Sequence, residues 1–116
     1  MASAIHHQEN VANKQIHPKG LFVILNLLTT REVGSPEDTK RIDSVFKNLG
    51  FQNLHSKNDF SIKDAHEAAE TLINHPNKDL PRVFFIMSHG KEGGQLEDFK
   101  ERSFHINGII ERFNVV

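Results

Sequence analysis

The chain has 116 residues, enough for one small domain and too few for two ordinary ones. Its formal net charge is −1 and a quarter of its residues are charged, so no basic excess points to nucleic acid or to an acidic membrane surface. It contains no cysteine, which excludes a disulfide framework, a thiolate metal site and a cysteine nucleophile within these residues.

Residues 1–18 are polar, rich in Asn, Gln, Lys and His, and closed by Pro18 and Gly20. They predict a disordered leader without the apolar stretch of a signal peptide. Residues 19–116 then form one patterned domain. Leu21–Leu28 is an apolar run interrupted by Asn26, far too short to cross a bilayer and suited to a strand covered on both faces. A soluble protein of the cytoplasm is the expectation. Ser35 as cap, Pro36 at the first helical position and the acids Glu37 and Asp38 open a helix. Ile42, Val45, Phe46 and Leu49 give it one apolar stripe, and Gly50 ends it.

Phe51–His55 predicts a short strand. Ser61 with Asp64 marks a second helix start, Ile62, Ala65, Ala69, Leu72 and Ile73 make its inner face, and Pro76 forbids its continuation. Val83–Met87 is a second fully apolar strand and runs directly into Ser88-His89-Gly90. The polar segment from Gly93 to Arg102 predicts a loop or small hairpin. Ile106, Ile109, Ile110 and Phe113 form a third amphipathic stripe. The alternation of strands and helices argues for an α/β fold in three layers, a parallel sheet of about three strands with helices on both faces. Function in such sheets gathers at the carboxyl ends of the strands, where Thr29–Ser35 and Ser88–Gly90 fall.

His89 follows a buried strand immediately. An imidazole there can take and return a proton near neutral pH, and Gly90 can offer a backbone N–H to a developing oxyanion. The same residues also fit a surface histidine followed by a turn glycine. Arg31, just beyond the first strand, is either a bidentate carboxylate clamp or a solvated loop arginine. The eight histidines show no ligand spacing, so no metal is expected, and no glycine-rich turn opens a helix in the way a nucleotide site requires. No cofactor is expected.

Four segments together resemble one family. Lys19-Gly20-Leu-Phe-Val-Ile-Leu-Asn26 resembles the first strand of caspases. Arg31-Glu-Val-Gly34-Ser35 followed by Asp38 is similar to their Arg-x-Gly-(Ser/Thr)-x-x-Asp, with one residue more between the arginine and the glycine. Phe46-Lys-Asn-Leu49-Gly50-Phe51 looks like their Phe-x-x-Leu-Gly-Phe. Phe84-Phe-Ile-Met-Ser88-His89-Gly90-Lys-Glu92-Gly93 looks like the strand that delivers their catalytic histidine.

The resemblance implies a caspase-like sandwich, His89 as catalytic histidine and Gly90 as the oxyanion-hole glycine. It implies Arg31 as the residue that binds the substrate's aspartate. The family's Gln-Ala-Cys-x-Gly lies about 50 residues beyond its histidine, whereas 27 residues follow His89 here. The chain therefore reads as the front of a caspase large subunit that stops before the nucleophile and is inactive alone. In the family a further strand pairs with the outer edge of the strand matched by Arg82–Met87. Without it, Val83–Met87 would be an uncovered apolar edge. Three readings follow. One is a fragment of an aspartate-specific cysteine endopeptidase acting in cell death or inflammation. The second is a stand-alone truncated homologue that regulates a caspase chain through the open edge. The third is a remnant without function.

Overall fold

The structure, a computed structural model, describes residues 17–29 and 34–114. Three strands, β1 (Gly20–Asn26), β2 (Phe51–Asn58) and β3 (Arg82–Met87), form a parallel sheet in the order β2-β1-β3. Helix α1 (Pro36–Asn48) connects β1 to β2 and helix α2 (Ile62–Ile73) connects β2 to β3. Beyond β3 the chain forms a small antiparallel sheet of β4 (Gly90–Lys91), β5 (Gln95–Glu97) and β6 (Ser103–His105), and ends in helix α3 (Asn107–Phe113). The polar segment from Gly93 to Arg102, expected as a loop or hairpin, supplies β5 and the turns that pair it with β4 and β6.

β1 is buried along its whole length because it is the central strand and both of its faces are covered. Leu21, Val23 and Leu25 pack against Ala65, Ala68, Ala69 and Leu72 of α2 and Ile109 of α3. Each fully buried Leu, Val or Phe contributes roughly 1.5–3 kcal/mol. The three alanines let α2 approach the sheet closely, and Ala68 belongs to this face beside the residues the stripe had marked. Arg112 fastens α3 to α2 by bonding the Glu70 carboxylate and meeting the His66 ring.

The opposite face is aromatic. Phe46 of α1 lies 5.6 Å from Phe22, 5.4 Å from Phe51 and 4.8 Å from Phe85, ring centre to ring centre. The edge-on geometry to Phe51 and Phe85 matches the favoured arrangement of ring quadrupoles. Only α1 covers this face among the described residues. Val45 and Leu49, expected in its buried stripe, are therefore 54% and 55% exposed.

Both long helices begin with reciprocal capping boxes, Ser35 with Asp38 and Ser61 with Asp64, in which side-chain oxygens accept N–H groups of the helix start. β2 runs three residues past the expected His55. Its polar end is held by pairing with β1 to Asn26↔Asn58, and a bulge opposite Phe22 and Val23 absorbs Leu54. β3 lies at the sheet's other edge, and among the described residues nothing pairs with its outer side. The leader's residues 1–16 lie outside the described residues.

Candidate active site

The chain leaves β1 toward β2 and later crosses back to place β3 on β1's other side. The carboxyl ends of β1 and β3 are therefore neighbours whose onward connections diverge, the position at which open α/β sheets form a crevice. Asn26 pairs with Met87 at the last rung, and the Leu27 N–H donates to the Met87 carbonyl at 2.8 Å. Ser88 and His89 come next, so His89 stands at this crevice, half-buried, directly after the strand. Gly90 opens β4 with its backbone paired opposite Leu96.

The small sheet beside His89 is anchored in two ways. The Ser88 hydroxyl donates to the Glu97 carbonyl at 2.7 Å and accepts the Glu97 N–H at 3.0 Å. Asp98, fully buried, closes the turn between β5 and β6. Its Oδ1 accepts the N–H groups of Lys100 and Arg102 at 3.0 and 2.9 Å, and its Oδ2 takes the Arg102 guanidinium through Nε and Nη2. Burial works against the charged form of Asp98, but the Arg102 N–H and guanidinium and the Lys100 N–H outweigh it. They hold the carboxyl below the ordinary range. The Phe99 N–H then donates to the carbonyl of buried Phe60, tying the turn to the main core.

On the β1 side, Asp59 lies in the left-handed region at φ 54° and turns its carboxylate back across the sheet edge. Its Oδ1 accepts the N–H groups of Leu28 and Thr29, each at 2.9 Å. Burial would raise this carboxyl's pKa, yet the Thr29 hydroxyl and the two N–H groups more than compensate and lower it. Buried Asn26 donates to the Ser35 carbonyl at 2.9 Å and to Thr39 Oγ1 at 3.0 Å, and Thr39 donates to Asn58 Oδ1 at 3.1 Å. Both ends of the connection between β1 and α1 are thus pinned. Arg31 falls within that connection and lies outside the described residues.

Asn26, Asp59 and Asp98 took no part in the candidate site read from sequence, and Ser88 entered it only as the residue before His89. Asn26 had a visible signal, a polar residue interrupting an apolar run at a strand's carboxyl end. The others are short polar side chains just past a strand, a pattern most turns share.

The site so built can offer an imidazole and a backbone amide at one crevice, and the 116 residues supply no thiol to it. Among the described residues no three His, Asp or Glu side chains gather as metal ligands, and no helix is long and apolar enough to cross a membrane. The family model of the caspase domain matches residues 23–116, which takes in both long helices, β3 and His89. The chain belongs to the caspase domain family. No curated protein matches it. Within this caspase domain the three-stranded sheet and its helices are the frame on which His89 and Gly90 are carried.

Proposed function

We propose that this caspase-domain chain supplies the histidine side of an aspartate-directed cysteine endopeptidase site. The thiol is contributed from outside these 116 residues, so the chain alone is inactive. What supports the reading is the position of His89, immediately past β3 at the crevice between the ends of β1 and β3. A thiolate attacks the scissile carbonyl, and the oxyanion that forms accepts the Gly90 N–H. The imidazolium of His89 gives its proton to the departing amine. Water then attacks the thioester, His89 takes the water's proton, and the thiol is released. Arg31 binds the carboxylate of the substrate's aspartate. No cofactor takes part. The setting is proteolysis in the cytoplasm during programmed cell death.

The test begins with the 116-residue protein and fluorogenic peptides ending in aspartate, where no turnover is expected. The chain is then completed with a caspase segment carrying Gln-Ala-Cys-x-Gly and the strands that follow it. Turnover should appear and should be lost with His89→Ala. Turnover by the uncompleted chain, or indifference of the completed one to His89→Ala, would overturn the reading.

The open side of β3 favours a second reading, a stand-alone regulator that captures a caspase chain by strand addition. The Leu21 N–H donates to the Pro81 carbonyl and the Leu27 N–H to the Met87 carbonyl. In a parallel ladder this phase turns the backbone groups of Phe84 and Ile86 away from β1. Beside them lies a cleft of about 470 Å³ lined by Phe84, Ile86, Ile106, Ile109, Ile110 and Phe113. Co-purification with a caspase catalytic chain, abolished by Ile86→Lys, is the expected result. A monomer that ignores such a chain would remove this reading.

A further inference from the structure

We propose that Ser88 is the positioning residue of His89. The proposal rests on the reading of His89 given above. It concerns a residue that touches no substrate and acts only through its neighbour.

β4 and β5 pair Lys91 with Gln95 and Gly90 with Leu96. One further step of that antiparallel ladder would set His89 opposite Glu97. The bond from the Asp98 N–H to the Arg102 carbonyl sets the phase of β5, so the Glu97 N–H and carbonyl point toward this side. The Ser88 hydroxyl meets both of these Glu97 groups. It donates to the carbonyl at 2.7 Å and accepts the N–H at 3.0 Å, within normal limits for both bonds. The hydroxyl also approaches the carbonyl of His89 itself at 3.3 Å. One side-chain oxygen thus gathers the His89 carbonyl and both Glu97 backbone groups. It joins the end of β3 to β5, just before β4 begins at Gly90.

The residue type follows from the geometry. A single atom has to donate and accept at short range from a side chain one carbon long, which a hydroxyl does and neither a methyl nor an amide can. Ser88 also sits between two fixed bodies. On one side β3 is paired with central β1, and on the other Glu97 is followed by buried Asp98, whose turn is tied to Phe60. The His89 backbone is therefore held at one point between two rigid supports. A catalytic side chain needs such support, since a displacement near 1 Å can cost roughly a hundredfold in rate.

A merely structural serine and a positioning one predict different results. In the 116-residue protein, Ser88→Ala should speed hydrogen exchange of the Glu97 amide at least roughly tenfold. It should also shift the His89 ring resonances and alter the ring's proton–proton contacts, while the amides of Val23 and Leu25 in β1 keep their protection. Ser88→Thr, which retains the hydroxyl, should restore the wild-type ring spectrum. If Ser88→Ala does not fold, the isosteric pair Ser88→Thr and Ser88→Val makes the same comparison with and without the oxygen. In the completed enzyme, loss of the hydroxyl should lower kcat by roughly tenfold to a hundredfold with KM nearly unchanged, and Ser88→Thr should recover it. An unchanged His89 ring, or an unchanged kcat, on removal of the hydroxyl would overturn the proposal. The ring measurement needs no catalysis, so it stands or falls separately from the role of His89. That role fails only if His89→Ala leaves the completed enzyme active.

Discussion

The backbone N–H of Thr29, at the exit of β1, is received at 2.9 Å by the carboxylate of Asp59, at the exit of β2. The same oxygen receives the N–H of Leu28, so one side chain settles how two strands depart from the sheet. Hydrogen bonds to a charged acceptor are each worth about 1.5–3 kcal/mol, less where water can compete. Asp59→Asn tolerates the left-handed backbone and keeps an acceptor oxygen. It should cost about 1 kcal/mol, and Asp59→Ala about 2 kcal/mol. Urea denaturation checks the order, and equal stability of the two variants would contradict it.

Acid should destabilise this domain through its carboxylates. In Asp43, Asp59, Asp64 and Asp98, burial opposes ionisation, and the donors around each group outweigh it and lower the pKa. A carboxyl whose folded pKa lies below its unfolded value of about 3.9 stabilises the fold above that pH and loses the contribution as pH falls through the folded value. The urea midpoint should therefore fall steeply below roughly pH 4. Asp98→Asn should lower stability at neutral pH and flatten the acid decline. An unchanged slope in that variant would show that Asp98 is not among the groups responsible.

Phe46 is the one side chain of α1 that meets Phe22, Phe51 and Phe85 together. Phe46→Ala should destabilise by roughly 2–3 kcal/mol, below the usual range for a fully buried phenylalanine because Phe46 is only half-buried. Val45→Ala and Leu49→Ala on the same stripe should cost well under 1 kcal/mol, given their exposure. Thermal unfolding of the three variants separates these outcomes.

Gly20 is required by contact. A Cβ built there would lie 2.2 Å from the Phe51 ring, which Phe46 holds from another side. Gly20→Ala should cost roughly 1–3 kcal/mol through overpacking. The double variant with Phe51→Leu should recover part of the loss. No recovery would mean that the strain lies in the backbone.

Much of the fold was legible because its signals are local. Ser35-Pro36-Glu37-Asp38 announces a helix start within four residues, and the capping box expected of Ser61 with Asp64 formed as its spacing predicts. Leu21–Leu25 and Val83–Met87 read as strands from their own composition. The polar end of β2 was not legible, because Ser56, Lys57 and Asn58 are strand only by virtue of pairing with β1. The exposure of Val45 and Leu49 was hidden for a related reason. Periodicity shows which face of a helix is apolar and says nothing of how much sheet that face finds to cover.

The sequence by itself determined the alternation of strands and helices, the absence of a thiol, the likeness to caspases and the placing of His89 directly after an apolar strand. Each of these is written in neighbouring residues. Only the tertiary structure decided that β1 is central and that Ser88, Asp59, Asn26 and Asp98 hold the crevice in shape. Asp59 and Thr29 are 30 residues apart, and Ser88 reaches Glu97 across a turn. A short polar side chain can bond whichever backbone group the fold brings to it, and that choice is made by strand order and register.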